Sequence, residues 1–233
     1  MLMKKIITLV TFFICFQIHA NAQMCFGINM KSGMGFEMLS YNAKDKPMGK
    51  LLYTIKEVIN EGGATVLKIE LQSFNTKDKL ESTNSYSCRC KGNEILVDMT
   101  SMMAAQENPM LKDAKMTFTS NDLTYSDNYT IGASLKDASL KGEGEMGGGM
   151  KLEYSMDMKN RKVESQENIT VPSGTYNAYK ITSDMTVSTK TLMNISFDFQ
   201  TVSYRAPKIL WDVKTETYRK GKLMSYTVLS KVF

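Results

Sequence analysis

Six carboxylates and a Cys-x-Cys pair are the residues of this 233-residue chain best suited to acid–base or sulfur chemistry. Asp98, Glu164, Glu167, Asp198, Asp212 and Glu216 are of the type that works in pairs across a glycosidic bond, one protonated and one ionised. Nothing in their spacing selects two that would flank a substrate. Cys88 and Cys90 are two apart, hence on one face of a strand. In that position they would strain a mutual bridge but could offer soft ligands to a metal. Nineteen methionines extend the idea to Cu(I), with Met30, Met34 and Met38 spaced by four and Met102–Met103 close to Met110. The competing reading is that methionine replaces leucine as adaptable core filler. Met156, Met158 and Met193 favour it, because they alternate with polar residues as inward strand positions do.

The one histidine, His19, lies in a segment with the anatomy of a secretory signal. Lys4 and Lys5 are followed by an apolar stretch of 13 residues, Ile6 to Ile18, and then by Ala20-Asn21-Ala22. Phe13-Ile14 before Cys15 are too bulky for a lipoprotein cleavage motif. The apolar run is also too short for a bilayer span, which takes about 20 residues. Cleavage between Ala22 and Gln23 is expected, leaving one exported domain over 23–233 with no transmembrane helix. That mature chain has no histidine, which excludes His-based triads, Cys–His pairs, HExxH zinc proteases and His-ligated metals. No catalytic residue, metal site or cofactor is expected. Its 27 Lys/Arg against 24 Asp/Glu, with no basic run, leave no electrostatic footprint for nucleic acid. Three cysteines remain. Cys25 is expected to pair with Cys88 or Cys90, closing a loop of about 65 residues for roughly 4 kcal/mol in the chain-entropy model.

The elements that must position these groups read as strands. Leu67, Ile69 and Leu71 alternate with Lys68, Glu70 and Gln72. Leu152 to Met158 and Met193 to Phe199 repeat the pattern, as antiparallel strands with one wet face do. Weaker strand signals lie at 36–42, 51–58, 80–90, 93–99, 115–119, 176–187, 209–218 and 222–231. Gly-, Pro- or Asp-containing turns separate them, among them Lys44–Pro47, Glu61–Gly63, Lys91–Asn93 and Arg219–Lys222. Trp211, alternating with Val213, reads as an interior anchor. Lys141–Met150, with five glycines, reads as a flexible hairpin loop, since no Lys-Ser/Thr follows to make a phosphate loop. Residues 100–114 carry helix formers and predict a short helix. The fold class is therefore mainly β: an antiparallel meander forming a curved sheet, open barrel or sandwich, with one short helix.

Several stretches together resemble the exported domain-of-unknown-function 3108-like group of Gram-negative bacteria, some members of which are labelled TapB family. The similarity runs through Cys25, Gly35-Phe36-Glu37, Cys90-Lys91-Gly92 and Val97-Asp98-Met99. Its most specific part is Asn160-Arg161-Lys162-Val163, Glu167 and Val171-Pro172-Ser173-Gly174-Thr175-Tyr176 with Tyr179-Lys180-Ile181, and it continues in Val213–Tyr218. It covers nearly all of 23–233. The resemblance implies an exported, mostly antiparallel β protein without a known catalytic residue, and Cys90 as the partner of Cys25. Trp211 stands where such proteins look more like Gly, and Ala178 where Cys would be unsurprising.

The expected function is that of a non-enzymatic cell-envelope protein, periplasmic, outer-envelope-associated or secreted. Its curved sheet would present an apolar surface to a lipid or lipoprotein. The alternative is a structural or protein-interaction module with a filled core, and a carboxylate-dependent hydrolase comes third.

Overall fold

A computed structural model describes residues 24–100, 115–146 and 149–233. The expected signal segment, with its Ala22/Gln23 junction, lies outside the described residues. So does 101–114, most of the expected helix; Met99 and Thr100 are helical where the description stops.

Fifteen strands are formed among the described residues. The first two, β1 (Met24–Cys25) and β2 (Ile28–Asn29), make a small hairpin. A meander follows: β3 (Gly35–Asn42), β4 (Pro47–Glu61), β5 (Ala64–Phe74), β6 (Leu80–Lys91) and β7 (Glu94–Val97). Next come β8 (Lys115–Ser120), β9 (Leu123–Ser126), β10 (Ala138–Met146) and β11 (Met150–Val171). The chain ends with β12 (Gly174–Lys190), β13 (Asn194–Arg205), β14 (Asp212–Arg219) and β15 (Lys222–Val232). Thirteen of these form one antiparallel sheet in the order β8-β10-β11-β12-β13-β14-β15-β3-β4-β5-β6-β7-β9.

The first and last strands of that order, β8 and β9, are consecutive in the chain and separated only by Asn121 and Asp122. A flat sheet of this width would hold its edges far apart, at nearly 5 Å per strand. The sheet therefore curls until its edges meet, though no ladder joins β8 to β9. The wall is unequal: β7 pairs only with Cys88–Lys91 of β6, and β9 pairs only with β7. The curl is complete at the end near Cys90, while Leu80–Tyr86 has no ladder on that side. Alternation sets the concave face. Leu67 and Ile69 are buried there with Tyr86, Cys88, Ile95 and Val97, while Lys68 between them is exposed.

The longest strands do a second job. Register shifts between Lys159 and Lys162 and between Val163 and Ser165 bend the β11–β12 hairpin. Its tip then lies back on the sheet, where Ser173 donates from its backbone N–H and its hydroxyl to the Leu229 carbonyl. Val171 and Ala178 of the hairpin are buried in the same cluster as Val202, Tyr204 and Val228 of the sheet. Both faces of β13 are consequently buried near Arg205.

Three local expectations need correction. Lys141–Met146 is not loop but the second half of β10. Gly142 sits directly opposite Phe118 of β8, and the ring occupies the space a side chain would need. A Cβ on Gly142 would come 2.5 Å from Phe118 Cε1 and 2.9 Å from Met116 Cε. The glycine is thus a packing requirement within a strand. Met193 is not inward: it falls in the turn before β13 and is 73% exposed. Trp211 lies just before β14, not on it. The packing at Gly142 predicts that Gly142→Val lowers the unfolding free energy by about 1–3 kcal/mol through overpacking. Lys141→Ser, on the other face, should change it by less than about 0.5 kcal/mol; urea denaturation of both variants measures the difference.

Candidate functional site

The complete end of the curl is closed by aromatic rings around Trp211. Phe36 of β3 and Tyr53 of β4 are directly paired in the ladder and stack with centroids 4.4 Å apart. The Trp211 ring lies 6.1 Å from Phe36, 5.8 Å from Tyr53, 6.2 Å from Tyr86 and 6.1 Å from Tyr125. The β1–β2 hairpin covers this end, burying Cys25, Phe26 and Met30. Cys25 is joined to Cys90 of β6 by a disulfide. Cys88 is a buried free thiol, and burial pushes its pKa up to about 12, so it is no nucleophile near neutrality.

Two arginines are buried among these rings. Arg205, 2% exposed, donates from Nη1 to Asp212 Oδ1 at 3.1 Å and from Nη2 to the Leu210 carbonyl at 3.4 Å. Its guanidinium carbon lies 4.2 Å from the Tyr125 ring centre. Asp212 also accepts from Thr215 Oγ1 at 3.0 Å. Arg161 donates to the carbonyls of Lys136 and Thr124, at 2.6 and 3.0 Å. Burial works against the Arg205 charge, yet Asp212, with Tyr129 and Tyr125, outweighs it and leaves its pKa above the ordinary value. Burial also raises the phenols of Tyr53, Tyr86 and Tyr125, and the Asp212 charge adds to this for Tyr53 and Tyr125. Tyr86 Oη and Arg205 Nε are buried without a hydrogen-bond partner among the described residues.

Toward the other end the concave face is only partly covered, and it is divided. Two apolar rows cross three strands: Met156–Val187–Phe197 and Met158–Met185–Phe199, each directly paired from β11 through β12 to β13. Beside them run two hydroxyl rows, Ser183–Thr201–Thr217–Ser225 and Ser203–Thr215–Thr227–Ser40. Most of these residues are half-buried, and Phe197 is 41% exposed.

The carboxylates singled out from sequence are dispersed. Asp98 accepts from the backbone N–H and hydroxyl of Thr100 and caps the helix start. Glu164 is exposed and paired with Lys162, which holds its carboxyl below the usual range. Asp198 accepts from Thr186, Glu216 lies against Lys214 and Tyr218, and Glu167 is exposed. Asp212 alone belongs to the buried cluster. No group of three His, Cys, Asp or Glu that could hold a metal ion occurs among the described residues. None of the helices among them is long and apolar enough to cross a membrane.

The DUF3108-like family model matches residues 31–229. The chain belongs to the DUF3108-like family. Two solved structures share the fold of this DUF3108-like chain. One, from Bacteroides fragilis, is described as an exported protein with a YmcC-like fold; it is 15% identical with a TM-score of 0.64. The other, from Parabacteroides distasonis, is described as a lipoprotein and is 19% identical with a TM-score of 0.66. Each comparison covers 87% of this chain and 96% of the other. No curated protein matches the sequence.

Sequence reading found Trp211 and both bridged cysteines but missed Arg205, Tyr125 and Tyr86. One signal was available: Arg205 continues the inward parity of Phe197, Phe199, Thr201 and Ser203, where an unpaired arginine would be costly. Arg205→Met or Asp212→Asn should each lower the unfolding free energy by about 3–5 kcal/mol, because the surviving partner stays buried. The double variant Arg205→Met/Asp212→Leu should recover a large part of the loss in a urea-denaturation cycle. The raised Cys88 pKa also carries a sign. The folded state holds this proton between pH 9.0, the ordinary thiol value, and about 12, where the unfolded chain releases it. Stability is therefore complete below pH 9 and falls toward pH 12 by about 1.4 kcal/mol per pH unit for this thiol alone. Cys88→Ala should show a shallower alkaline decline.

Proposed function

We propose that this DUF3108-like protein is exported, loses residues 1–22, and acts in the cell envelope as a non-enzymatic carrier or sensor of an amphiphile such as a lipid. The observation that carries the reading is the concave face, whose apolar Met, Val and Phe rows adjoin hydroxyl rows and are left half-exposed. An acyl chain lying on the methionines would remove water from adaptable, polarisable side chains, at about 25 cal/mol per Å² buried. The hydroxyl rows would then receive its polar end. Export is supported by the charged, apolar and small-residue order of Lys4 to Ala22. The descriptions of the two fold neighbours as exported and as a lipoprotein point to the same compartment.

Native mass spectrometry of protein purified from its own envelope fraction tests this. A co-purifying lipid mass is expected, and Val187→Asp, which puts a carboxylate between Met156 and Phe197, should lose it. A clean apo mass for the wild-type protein in every preparation would overturn the reading in favour of a protein-interaction module.

A further inference from the structure

In an up-and-down antiparallel sheet, successive turns fall at alternate ends. Here five connections share the incompletely walled end: β3–β4, β5–β6, β10–β11, β12–β13 and β14–β15. The connections β4–β5, β6–β7, β9–β10, β11–β12 and β13–β14 lie at the closed end. The two sets differ in charge. Segments 43–48, 75–80, 149–151, 190–193 and 219–224 together hold nine Lys or Arg against two Asp. The opposite connections, 61–64, 91–94, 127–137, 171–174 and 206–211, hold three Lys against four Asp or Glu. Both acids of the first set are engaged: Asp78 is paired with Lys50 at 2.8 Å, and Asp45 accepts from Tyr226 at 2.9 Å. Lys44, Lys46, Lys77, Lys79, Lys151, Lys220 and Lys222 have no carboxylate partner among the described residues.

The same end carries the exposed apolar residues. Eight of the twelve large hydrophobic side chains that are exposed among the described residues are there, and every turn has at least one. Met48, Leu80, Met150 and Met224 each stand within two residues of a lysine, while Leu192 and Met193 form the tip of the β12–β13 hairpin, 86% and 73% exposed. That hairpin projects beyond its neighbour: β13 runs from Asn194, yet its ladder with β14 begins only at Gln200. At the closed end the corresponding apolar residues, Ile209, Leu210 and Trp211, are tucked against the core.

We infer that this rim docks on an anionic phospholipid surface, the lysines meeting headgroup phosphates and Leu192 and Met193 entering the acyl boundary. Interleaved cations and exposed apolar tips satisfy both parts of such an interface at once. A protein partner would need an acidic patch carrying apolar recesses matched to five separate turns, whereas a fluid bilayer supplies both without a register. The inference does not require the concave face to hold a ligand, although a docked rim would set the open end of that face at the membrane.

Co-sedimentation with vesicles of phosphatidylcholine, with and without phosphatidylglycerol, tests it, using protein whose N-terminus is established by intact mass. Binding should be at least about tenfold stronger to the anionic vesicles and should weaken as salt rises. Leu192→Ser/Met193→Ser and Lys44→Ser/Lys46→Ser/Lys220→Ser/Lys222→Ser should each cut it about tenfold. Circular dichroism melts should be unchanged, since all six positions are exposed. No sedimentation of the wild-type protein, equal binding to both vesicles, or variants that bind as the wild type does would each overturn the inference. Photocrosslinking from position 192 in intact cells that traps one protein, with vesicles left unbound, would assign the rim to that protein instead. Lipid in the native mass spectrum and vesicle binding are separate readouts, so either reading can fail alone.

Discussion

Asn121 and Asp122 are all that separates the two outermost strands of a thirteen-strand sheet, and the shape of the molecule follows from that short tether. The chain from Lys115 to Ser126 is in effect one strand shared between the two ends of the sheet, its first half on β10 and its second on β7. Asn121 makes the handover. Its backbone N–H donates to the Ser139 carbonyl, its side-chain amide donates to the Asp137 carbonyl, and its Oδ1 accepts from Ser139. The backbone groups that leave the ladder are thereby met by local polar partners rather than left open. Curling brings the two outermost strands together without pairing them, so the sheet is curved and not a closed barrel.

Once the sheet is curled, the two ends face different packing problems. Near Cys90 the wall closes around a volume that must be filled, and five aromatic residues with two arginines fill it. A buried ion pair is a costly device, because the desolvation of Arg205 and Asp212 offsets much of their attraction. The Tyr125 ring against the guanidinium, the Leu210 carbonyl and Thr215 recover part of that cost. The pair also links the last residue of β13 to the first of β14, across a connection that contributes Trp211 to the ring cluster. At the other end β7 and β9 are too short to complete the wall. There the concave face is left to methionines and hydroxyls, which need no fixed neighbours.

What could be read from the residues alone follows the same division. Period-two runs such as Leu67–Leu71 and Leu152–Met158 declare their strands because one face is buried and the other wet. The failures occur where tertiary packing overrides that local rule. Gly142 and Gly144 look like a loop, since the apolar partner that makes a strand of them, Phe118, is more than twenty residues away. Arg205 looks like surface until the bent β11–β12 hairpin covers the outer face of β13 and the ring cluster covers the inner one. Met193 obeys the alternation of its neighbours but lies one residue beyond the ladder, where parity no longer means burial. The disulfide partner of Cys25 was open between two residues of identical parity, and only the resemblance to the family separated them. Both cysteines point inward; Cys90 lies nearer the closed end, under the hairpin that carries Cys25.

The titration behaviour of the closed end follows from its burial. The phenols of Tyr53, Tyr86 and Tyr125 and the thiol of Cys88 are all pushed upward, and Arg205 is held charged. Around neutral pH these groups each keep one protonation state. Histidine, the side chain that titrates there unperturbed, does not occur in residues 24–233. Burial has made this end a fixed plug. The adaptable side chains, most of the exposed apolar residues and the lysines without a carboxylate partner are gathered at the opposite end of the described residues. The buried plug and the surface proposed above for contact thus occupy opposite ends of one sheet.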